Sequence, residues 1–190
     1  MKERSLRDLC ATALLATTVL TGCQAAEPPS EPAVPESVES AAAGVRIAAL
    51  SEGFEVAAND AAGLRLTVAS EAGDGTLTVT MSDEYEQGLN IIDAVETQMA
   101  AFEARPEGRS LGQTKMVAPI GLTYMARGRY LVEGTEVEEL RAMLAHPRGN
   151  RLLTVSYVYP AGAETSERGA QLMEVLGEME ALDEPAPSED

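Results

Sequence analysis

Short runs in which apolar and polar residues alternate fill much of the chain. Apolar residues at every second position, many of them β-branched, predict strands that bury one face. The segment 71–75 contains two glycines and separates two of these runs, which predicts a hairpin turn between them. The predicted strands are 45–50, 54–58, 64–68, 76–81, 114–118, 122–132 and 152–159.

Two other segments have the periodicity of a helix. The first, about 90–104, begins at Asn90, whose side chain can cap a helix. The second, about 166–182, begins at Ser166. Residues expected on the buried faces are Ile92, Val95, Met99 and Phe102 in the first helix, and Leu172, Val175, Leu176, Met179 and Leu182 in the second.

The segment 137–145 fits a helix as well as a strand. We favour a strand, because residues 147–150 resemble a hairpin turn into the strand that follows. The order of elements is then strands, helix, strands, helix. This order predicts a single α+β domain over residues 44–182, with a largely antiparallel sheet and two packed helices.

The first 23 residues have a different pattern. Lys2, Arg4 and Arg7 precede an uncharged stretch, 9–20, which is too short to span a bilayer but suits the apolar part of a signal peptide. Leu20–Cys23, with the sequence Leu-Thr-Gly-Cys, follows directly and resembles the lipobox of bacterial lipoproteins. The resemblance implies a signal peptide over 1–22, with diacylglycerol and an N-acyl lipid on the new terminal cysteine, which then anchors the chain to a lipid bilayer of the cell envelope.

Two further segments lie outside the expected domain. Residues 24–43 are rich in Pro, Glu, Ser and Ala, which predicts an extended tether behind Cys23, and the acidic residues 183–190 predict a disordered tail. Gln24 stands where inner-membrane lipoproteins of Gram-negative bacteria tend to carry aspartate. The resemblance therefore implies the periplasmic face of the outer membrane, if the envelope is Gram-negative.

Composition narrows the chemistry that the domain can perform. The net charge of −17 disfavours nucleic acid as a partner. Cys10 leaves with the signal peptide and Cys23 carries lipid, so no thiol remains for a disulfide or for catalysis. His146 is the only histidine, which excludes the usual catalytic triads and zinc sets. We expect a protein that is not an enzyme and has no cofactor besides its lipid; a hydrolase built on carboxylates alone is the enzymatic alternative.

Basic side chains in the second half of the chain are candidates for binding an envelope protein partner. Arg127 and Arg129 share one face of a predicted strand, Arg148 and Arg151 flank a predicted hairpin turn, and Tyr157 lies in the next strand. Arginine and tyrosine are frequent in protein-binding surfaces. A basic patch of this kind could also meet an anionic head group or the carboxylates of peptidoglycan. The alternatives are that the arginines pair internally with neighbouring glutamates and that the tyrosines fill sheet faces.

A second candidate site is acidic. Asp83, Glu84 and Glu86 precede the first predicted helix and could offer oxygen ligands to a cation such as Ca²⁺. Their spacing matches no EF-hand loop, and a solvated loop is the alternative. We therefore assign no metal to the chain on sequence grounds and keep these three residues as weak candidates.

The element order resembles the fold shared by the PsbP family and the DcrB-type bacterial lipoproteins. The likeness covers about residues 45–180 and includes Gly53-Phe54, the helix around 90–104 and the strand before the last helix. It implies a non-catalytic accessory module on a larger membrane complex. A small-ligand or cation-binding module is the alternative function.

Overall fold

The computed structural model describes residues 36–182. The predicted signal peptide, Cys23, residues 24–35 of the predicted tether and the predicted tail 183–190 lie outside the described residues. Neither helix within 36–182 is long and apolar enough to cross a membrane. The described elements are β1 (Glu36–Ser40), β2 (Val45–Leu50), β3 (Phe54–Asp60), β4 (Gly63–Val68), β5 (Gly75–Met81), α1 (Ile91–Glu103), β6 (Arg109–Ala118), β7 (Gly121–Val132), β8 (Thr135–Ala145), β9 (Leu152–Pro160), α2 (Thr165–Gly177) and β10 (Met179–Ala181).

The strands form two antiparallel sheets. The larger has seven strands in the order β3-β4-β5-β9-β8-β7-β6, and the smaller has three in the order β1-β2-β10. Neighbouring strands in the chain are joined by short turns, apart from two crossings through helices: from β5 through α1 to β6, and from β9 through α2 to β10. The prediction of an α+β fold with antiparallel sheets and two helices is confirmed.

The seven-stranded sheet is covered differently on its two faces. We call the face under α2 and the small sheet the front face, and the face under α1 the back face. The front core contains Leu64, Leu66, Leu77, Val79, Leu140, Val155, Tyr157, Tyr159, Leu172, Val175 and Leu176. The back core contains Ala94, Val95, Phe102, Tyr124, Ala126, Tyr130, Met143 and Leu152.

Strand β8 lies inside the large sheet and is covered on both faces. All residues from Glu138 to Leu144 are buried, so this strand lacks the alternation of a strand with one wet face. That is why its sequence suited a helix equally well, and the preference for a strand over 137–145 is confirmed. In β9 the predicted alternation is observed, with Leu153, Val155, Tyr157 and Tyr159 buried on the front face.

The predicted boundary between tether and domain at residue 44 is wrong. Strand β1 lies inside the segment assigned to the tether and pairs with β2, with Val38 opposite Ile47 and Ser40 opposite Val45. Val38 and Ala43 are buried in the front core. The composition of the whole segment 24–43 is rich in Pro and Glu, and it concealed the short stretch of alternating residues that forms β1.

Helix α1 begins as predicted, since Asn90 accepts a hydrogen bond from the backbone N–H of Ile92 at 3.1 Å. Its buried face is partly different from the predicted one. Val95 and Phe102 are buried, but Ile92 is 43 % exposed and Ala94 is buried instead. The helix therefore lies on the sheet rotated slightly from the orientation that the largest apolar side chains suggested.

Helix α2 is shorter than predicted. It ends at Gly177, and Met179–Ala181 leaves the helix to pair with β2 as strand β10. Glu164, not Ser166, occupies the N-cap position, and no side chain caps the first turn. Met179 is buried as predicted, but it lies in strand β10 and not in the helix. The pairing with β10 gives the backbone groups along the second edge of β2 their hydrogen-bond partners.

Gly128 in β7 offers a test of the packing between α1 and the sheet. A Cβ at this position would overlap the ring of Phe102. We expect Gly128→Ala to lower the free energy of unfolding by about 1–3 kcal/mol through overpacking, measured by urea denaturation. Gly169→Ala is the control, since a Cβ there meets nothing within 4 Å; in mid-helix it should raise stability by about 0.5–1 kcal/mol. Equal effects of both substitutions would contradict the packing.

Candidate functional site

A row of alternating charges crosses the front face where β6, β7 and β8 lie side by side. Arg109 bonds Glu136 at 3.2 Å, and Arg129 reaches Glu136 at 3.7 Å and also bonds Glu138. Arg127 then donates from Nε to Glu138 Oε2 at 3.2 Å. We call these five residues the arginine row; its three arginines and two glutamates carry a net charge of +1.

Antiparallel register brings the row together. Arg129 lies opposite Glu138 across β7 and β8, and opposite Arg109 across β7 and β6. Glu138 is only 2 % exposed, so its charge depends on the arginines that surround it. The hydroxyl of Tyr159 also lies 3.4 Å from Glu138. Burial and the charge of Glu138 raise the pKa of Tyr159 to about 12, so its hydroxyl remains a donor at neutral pH.

A groove adjoins this row on the front face. It has a volume of about 440 Å³ and lies between α2 and the ribbon formed by β6 and β7. Its walls are mostly apolar, and Arg127 is the one charged side chain among the described residues that line it. The lining includes Met116 and Met125 from the ribbon, Leu140 from β8, and Thr165, Gly169 and Met173 from α2. We call this cavity the α2 groove.

The spacing along α2 explains why the groove is open. Thr165, Gly169 and Met173 recur every four residues and therefore lie on one flank of the helix. The opposite flank is tied down, because Glu167 bonds Ser70 at 3.1 Å and Glu174 bonds Ser51. A Cβ at Gly169 would meet nothing within 4 Å, so the missing side chain leaves space beside the helix.

A second charged cluster is buried on the back face. Glu139 is fully buried and accepts hydrogen bonds from Arg141, Arg105 at 2.8 Å, Tyr130 at 2.8 Å and Ser156 at 2.6 Å. Burial alone would raise the pKa of the Glu139 carboxyl, but the charge of Arg141 and these hydrogen bonds outweigh it and lower the pKa below its usual value. With both oxygens occupied and the charge neutralised, Glu139 is poorly suited to act as a general base.

This cluster fastens α1 to the sheet. The guanidinium of Arg141 bonds the side chain of Gln98 at 2.6 Å and lies 4.6 Å from the ring centre of Phe102, both residues of α1. Arg105, just beyond the helix, lies 4.0 Å from the ring centre of Tyr130. The back-face cluster is therefore a structural connection between helix and sheet.

The predicted protein-binding surface is only partly assembled. Arg127 and Arg129 do lie on one face, and both pair with Glu138, which agrees with the alternative of internal pairing. Arg148 and Arg151 lie in the turn between β8 and β9. That turn follows Ala145, five residues along β8 from the partner of Arg127, or about 17 Å. The four arginines therefore do not form one patch.

Tyr157, a candidate for the protein-binding surface, is not accessible to a partner, which agrees with the alternative that it fills a sheet face. Its side chain is fully buried in the front core, where its hydroxyl bonds Gln171 at 2.6 Å and accepts from Arg168 at 2.7 Å. Burial raises its pKa, which the charge of Arg168 partly offsets. Tyr124, Tyr130 and Tyr159 are buried as well. Tyrosines that fill sheet faces account for the aromatic content of this half.

The acidic candidates and the histidine have ordinary positions. Asp83, Glu84 and Glu86 are exposed in the loop between β5 and α1, and within residues 36–182 no three acidic, histidine or cysteine side chains are placed to hold one metal ion. His146 is buried and joins two turns: its ring nitrogens lie 2.7 Å from the carbonyl oxygen of Arg148 and 3.0 Å from that of Gly44.

The α2 groove was not predicted from the sequence. Its methionines come from β6, β7 and α2, and no local pattern shows that distant segments leave a space between them. One signal was present: Gly169 interrupts a predicted helix at a position where glycine costs up to about 1 kcal/mol relative to alanine. An internal helical glycine of this kind often has a packing or binding reason.

Several solved structures share this fold at low sequence identity. Cyanobacterial PsbP, called CyanoP, from Synechocystis sp. PCC 6803 superposes with a TM-score of 0.54 at 11 % identity, covering 84 % of this chain and 99 % of CyanoP. LpqN, described as involved in cell envelope biogenesis of Mycobacterium tuberculosis, gives 0.54 at 7 % identity, covering 82 % and 88 %. The Ran-binding protein Mog1p of Saccharomyces cerevisiae gives 0.52 at 10 % identity, covering 78 % and 96 %.

These likenesses concern the fold alone. They support the resemblance to the PsbP type of fold that the element order suggested. No family model matches the sequence, and no curated protein is significantly similar to it.

Removing the buried charge of the back-face cluster should destabilise the fold. We expect Glu139→Gln to lower the free energy of unfolding by about 3 kcal/mol or more, since it leaves Arg141 without its counter-ion. Glu136→Gln, on the same strand but about half exposed, should cost less than about 1 kcal/mol. Urea denaturation of both variants measures the difference.

The same residue predicts a pH dependence. Because the pKa of Glu139 is lowered in the folded state, its stabilisation is fully present above the unfolded value of about 4.3 and is lost as pH falls through the lower folded value. The stability of the natural chain should therefore decline more steeply below that pH than the stability of Glu139→Gln. Parallel curves, measured by denaturation at stepwise lower pH, would contradict the assignment.

Proposed function

We propose that this chain is an envelope lipoprotein, anchored through Cys23, whose folded domain is a non-catalytic binding module that works through the α2 groove. The observation that supports the binding site is the groove itself. Its volume of about 440 Å³ lies within the range of small-ligand sites, and such sites are mostly apolar with few polar groups, as here.

The charged groups near the groove suit recognition better than catalysis. Glu138 is held by two arginines and a tyrosine hydroxyl, so its oxygens are engaged in fixed contacts. Arg127 is the charged side chain that faces the groove, and arginine is always protonated and serves well to hold an anion. A rigid sheet that presents an arginine at the end of an apolar cavity is a suitable binding site.

The proposed anchor would keep this site close to a membrane. Residues 24–35 separate Cys23 from the start of β1, and twelve residues of extended chain reach at most about 40 Å. The domain would thus operate within that distance of the bilayer, on the periplasmic face of the outer membrane if the envelope is Gram-negative. The envelope role stated for LpqN, which has the same fold, is in keeping with this location.

A second candidate function is the docking of an envelope protein, and a different surface favours it. β6 is an edge strand of the seven-stranded sheet. Near its end Val117 is 80 % exposed, and its cross-strand partner Leu122 is 53 % exposed. An exposed apolar pair beside an open strand edge can accept an added strand from a partner protein.

The anchor has a direct test. We expect Cys23→Ser to move the chain from the membrane fraction to the soluble fraction, because two or three acyl chains would be lost. Mass spectrometry of the natural protein should find an N-terminus at Cys23 that carries diacylglycerol. A natural chain that is unacylated, or that retains its first 22 residues, would contradict the anchor and leave the groove untouched.

Photo-crosslinking in intact membranes separates the two functions. Thr114 lines the groove, whereas its neighbour Lys115 points to the other face of β6, where Val117 also lies. With a photoreactive residue at position 114 or 115, a groove module should give a discrete adduct at 114 and none at 115. An adduct at 115 alone would favour protein docking, and no adduct at either position would contradict both functions.

A further inference from the structure

We propose that the α2 groove binds an amphiphile with a single alkyl chain in the apolar cavity and an anionic head, carboxylate or phosphate, on Arg127. This inference rests on the proposed function, because it assigns a ligand chemistry to the groove described there. The ligand would have two parts because the site has two parts: an apolar cavity and one cationic side chain at its wall.

The cavity suits a flexible chain. Met116, Met125 and Met173 line it from three different elements. Methionine side chains are unbranched and adaptable, and they are common where a surface must fit flexible apolar partners. Gly169 and Thr165 have small side chains that project little from the helix, so an alkyl chain can lie alongside α2.

The charge at the groove has the sign opposite to that of the domain. Residues 44–182 carry 21 acidic and 11 basic side chains, yet the arginine row has one arginine in excess. The row ends on Arg127 at the groove side. A net positive charge there selects an anion, and the acidic remainder of the domain repels anions from other surfaces.

Arg127 is placed to receive a head group. Its side chain is 38 % exposed, and its described contact with Glu138 engages Nε. Glu138 is shared with Arg129, which bonds it more closely, so the counter-ion of Arg127 is divided between two cations. An anion can therefore bind the outer nitrogens of Arg127 while the contact with Glu138 stays in place and orients the guanidinium.

The arginine row also explains why the anionic head group of the ligand would lie at one end of the groove, beside Arg127. Tyr159 donates a hydrogen bond to Glu138, and the side chain of Thr165 at the start of α2 lies close enough to Tyr159 to lower its pKa slightly. The start of the helix, the glutamate and Arg127 are thus connected. A head group at Arg127 would lie beside the start of α2, with its chain directed along the flank that carries Gly169 and Met173.

Equilibrium binding to the soluble full chain with Cys23→Ser tests the inference, with calorimetry as the readout and every probe below its micellar concentration. We expect dodecanoate and dodecyl phosphate to bind at least tenfold more tightly than the cationic dodecyltrimethylammonium. Shortening the alkyl chain should weaken binding about fourfold per methylene, the equivalent of about 0.8 kcal/mol for each buried CH₂. Lipids that remain bound to the natural protein, identified by native mass spectrometry, would distinguish a fatty acid from a phospholipid source.

Two pairs of variants locate the site. Gly169→Leu should fill the cavity and abolish binding, whereas Gly177→Leu, at the end of the same helix and also with open space at its Cβ, should leave it unchanged. Arg127→Gln should weaken the anionic probes about tenfold and remove the preference over the cationic probe. Arg109→Gln removes the same charge from the far end of the row and should have a much smaller effect.

The outcomes distinguish a wrong assignment of the ligand from a failure of the proposed groove function. Equal binding of anionic and cationic probes, or equal effects of Arg127→Gln and Arg109→Gln, would overturn the assignment of the head group. Absence of binding by a folded chain, or binding that Gly169→Leu leaves intact, would overturn the amphiphile altogether. In that case an adduct at position 114 in membranes would still support a groove module for another ligand, and its absence would remove both.

Discussion

The structure depends on the burial of two adjacent glutamates on strand β8. Glu138 points to the front face and Glu139 to the back face, and each is almost completely buried and bonded by two arginines. A buried carboxylate without its counter-ion is strongly destabilising. A slip of one residue in the pairing of β8 would exchange the two faces and separate both carboxylates from their partners. The register of β7, β8 and β9 is therefore specified by charge as well as by apolar burial.

The two glutamates have different consequences because different elements cover the two faces. On the back face, Glu139 holds Arg141 and Arg105 against the aromatic rings of Phe102 and Tyr130, and this connects α1 to the sheet. On the front face, α2 packs against the core that contains Tyr157 and Tyr159, but a groove separates it from the β6–β7 ribbon and leaves part of the sheet uncovered. The arginine row and the apolar groove occupy that uncovered part. The groove thus exists because a short helix leaves a wide sheet incompletely covered.

Elements with a strong local signal were predicted well. The cap at Asn90, the glycine turn between β4 and β5, and the alternation in β9 all depend on neighbours in the chain, so they can be recognised in the sequence. The predictions were wrong, or left two alternatives open, where tertiary contacts decided the outcome. Strand β1 was concealed in a tether-like composition, α2 gave up its last residues to the small sheet, and Tyr157 turned inward. In each case pairing or burial against a distant segment outweighed the local pattern.

Local periodicity and capping were sufficient to establish the α+β class and the order of most elements, and the turn at 147–150 decided the preference of 137–145 for a strand, because these features depend on spacing over a few residues. Which arginine meets which glutamate, and that three methionines and a glycine enclose a cavity, depended on the folded arrangement. Arg109 and Glu136 lie 27 residues apart in the chain, and Arg105 and Glu139 lie 34 apart. Contacts over such separations follow from strand register and helix placement, and no local stretch of sequence contains that information.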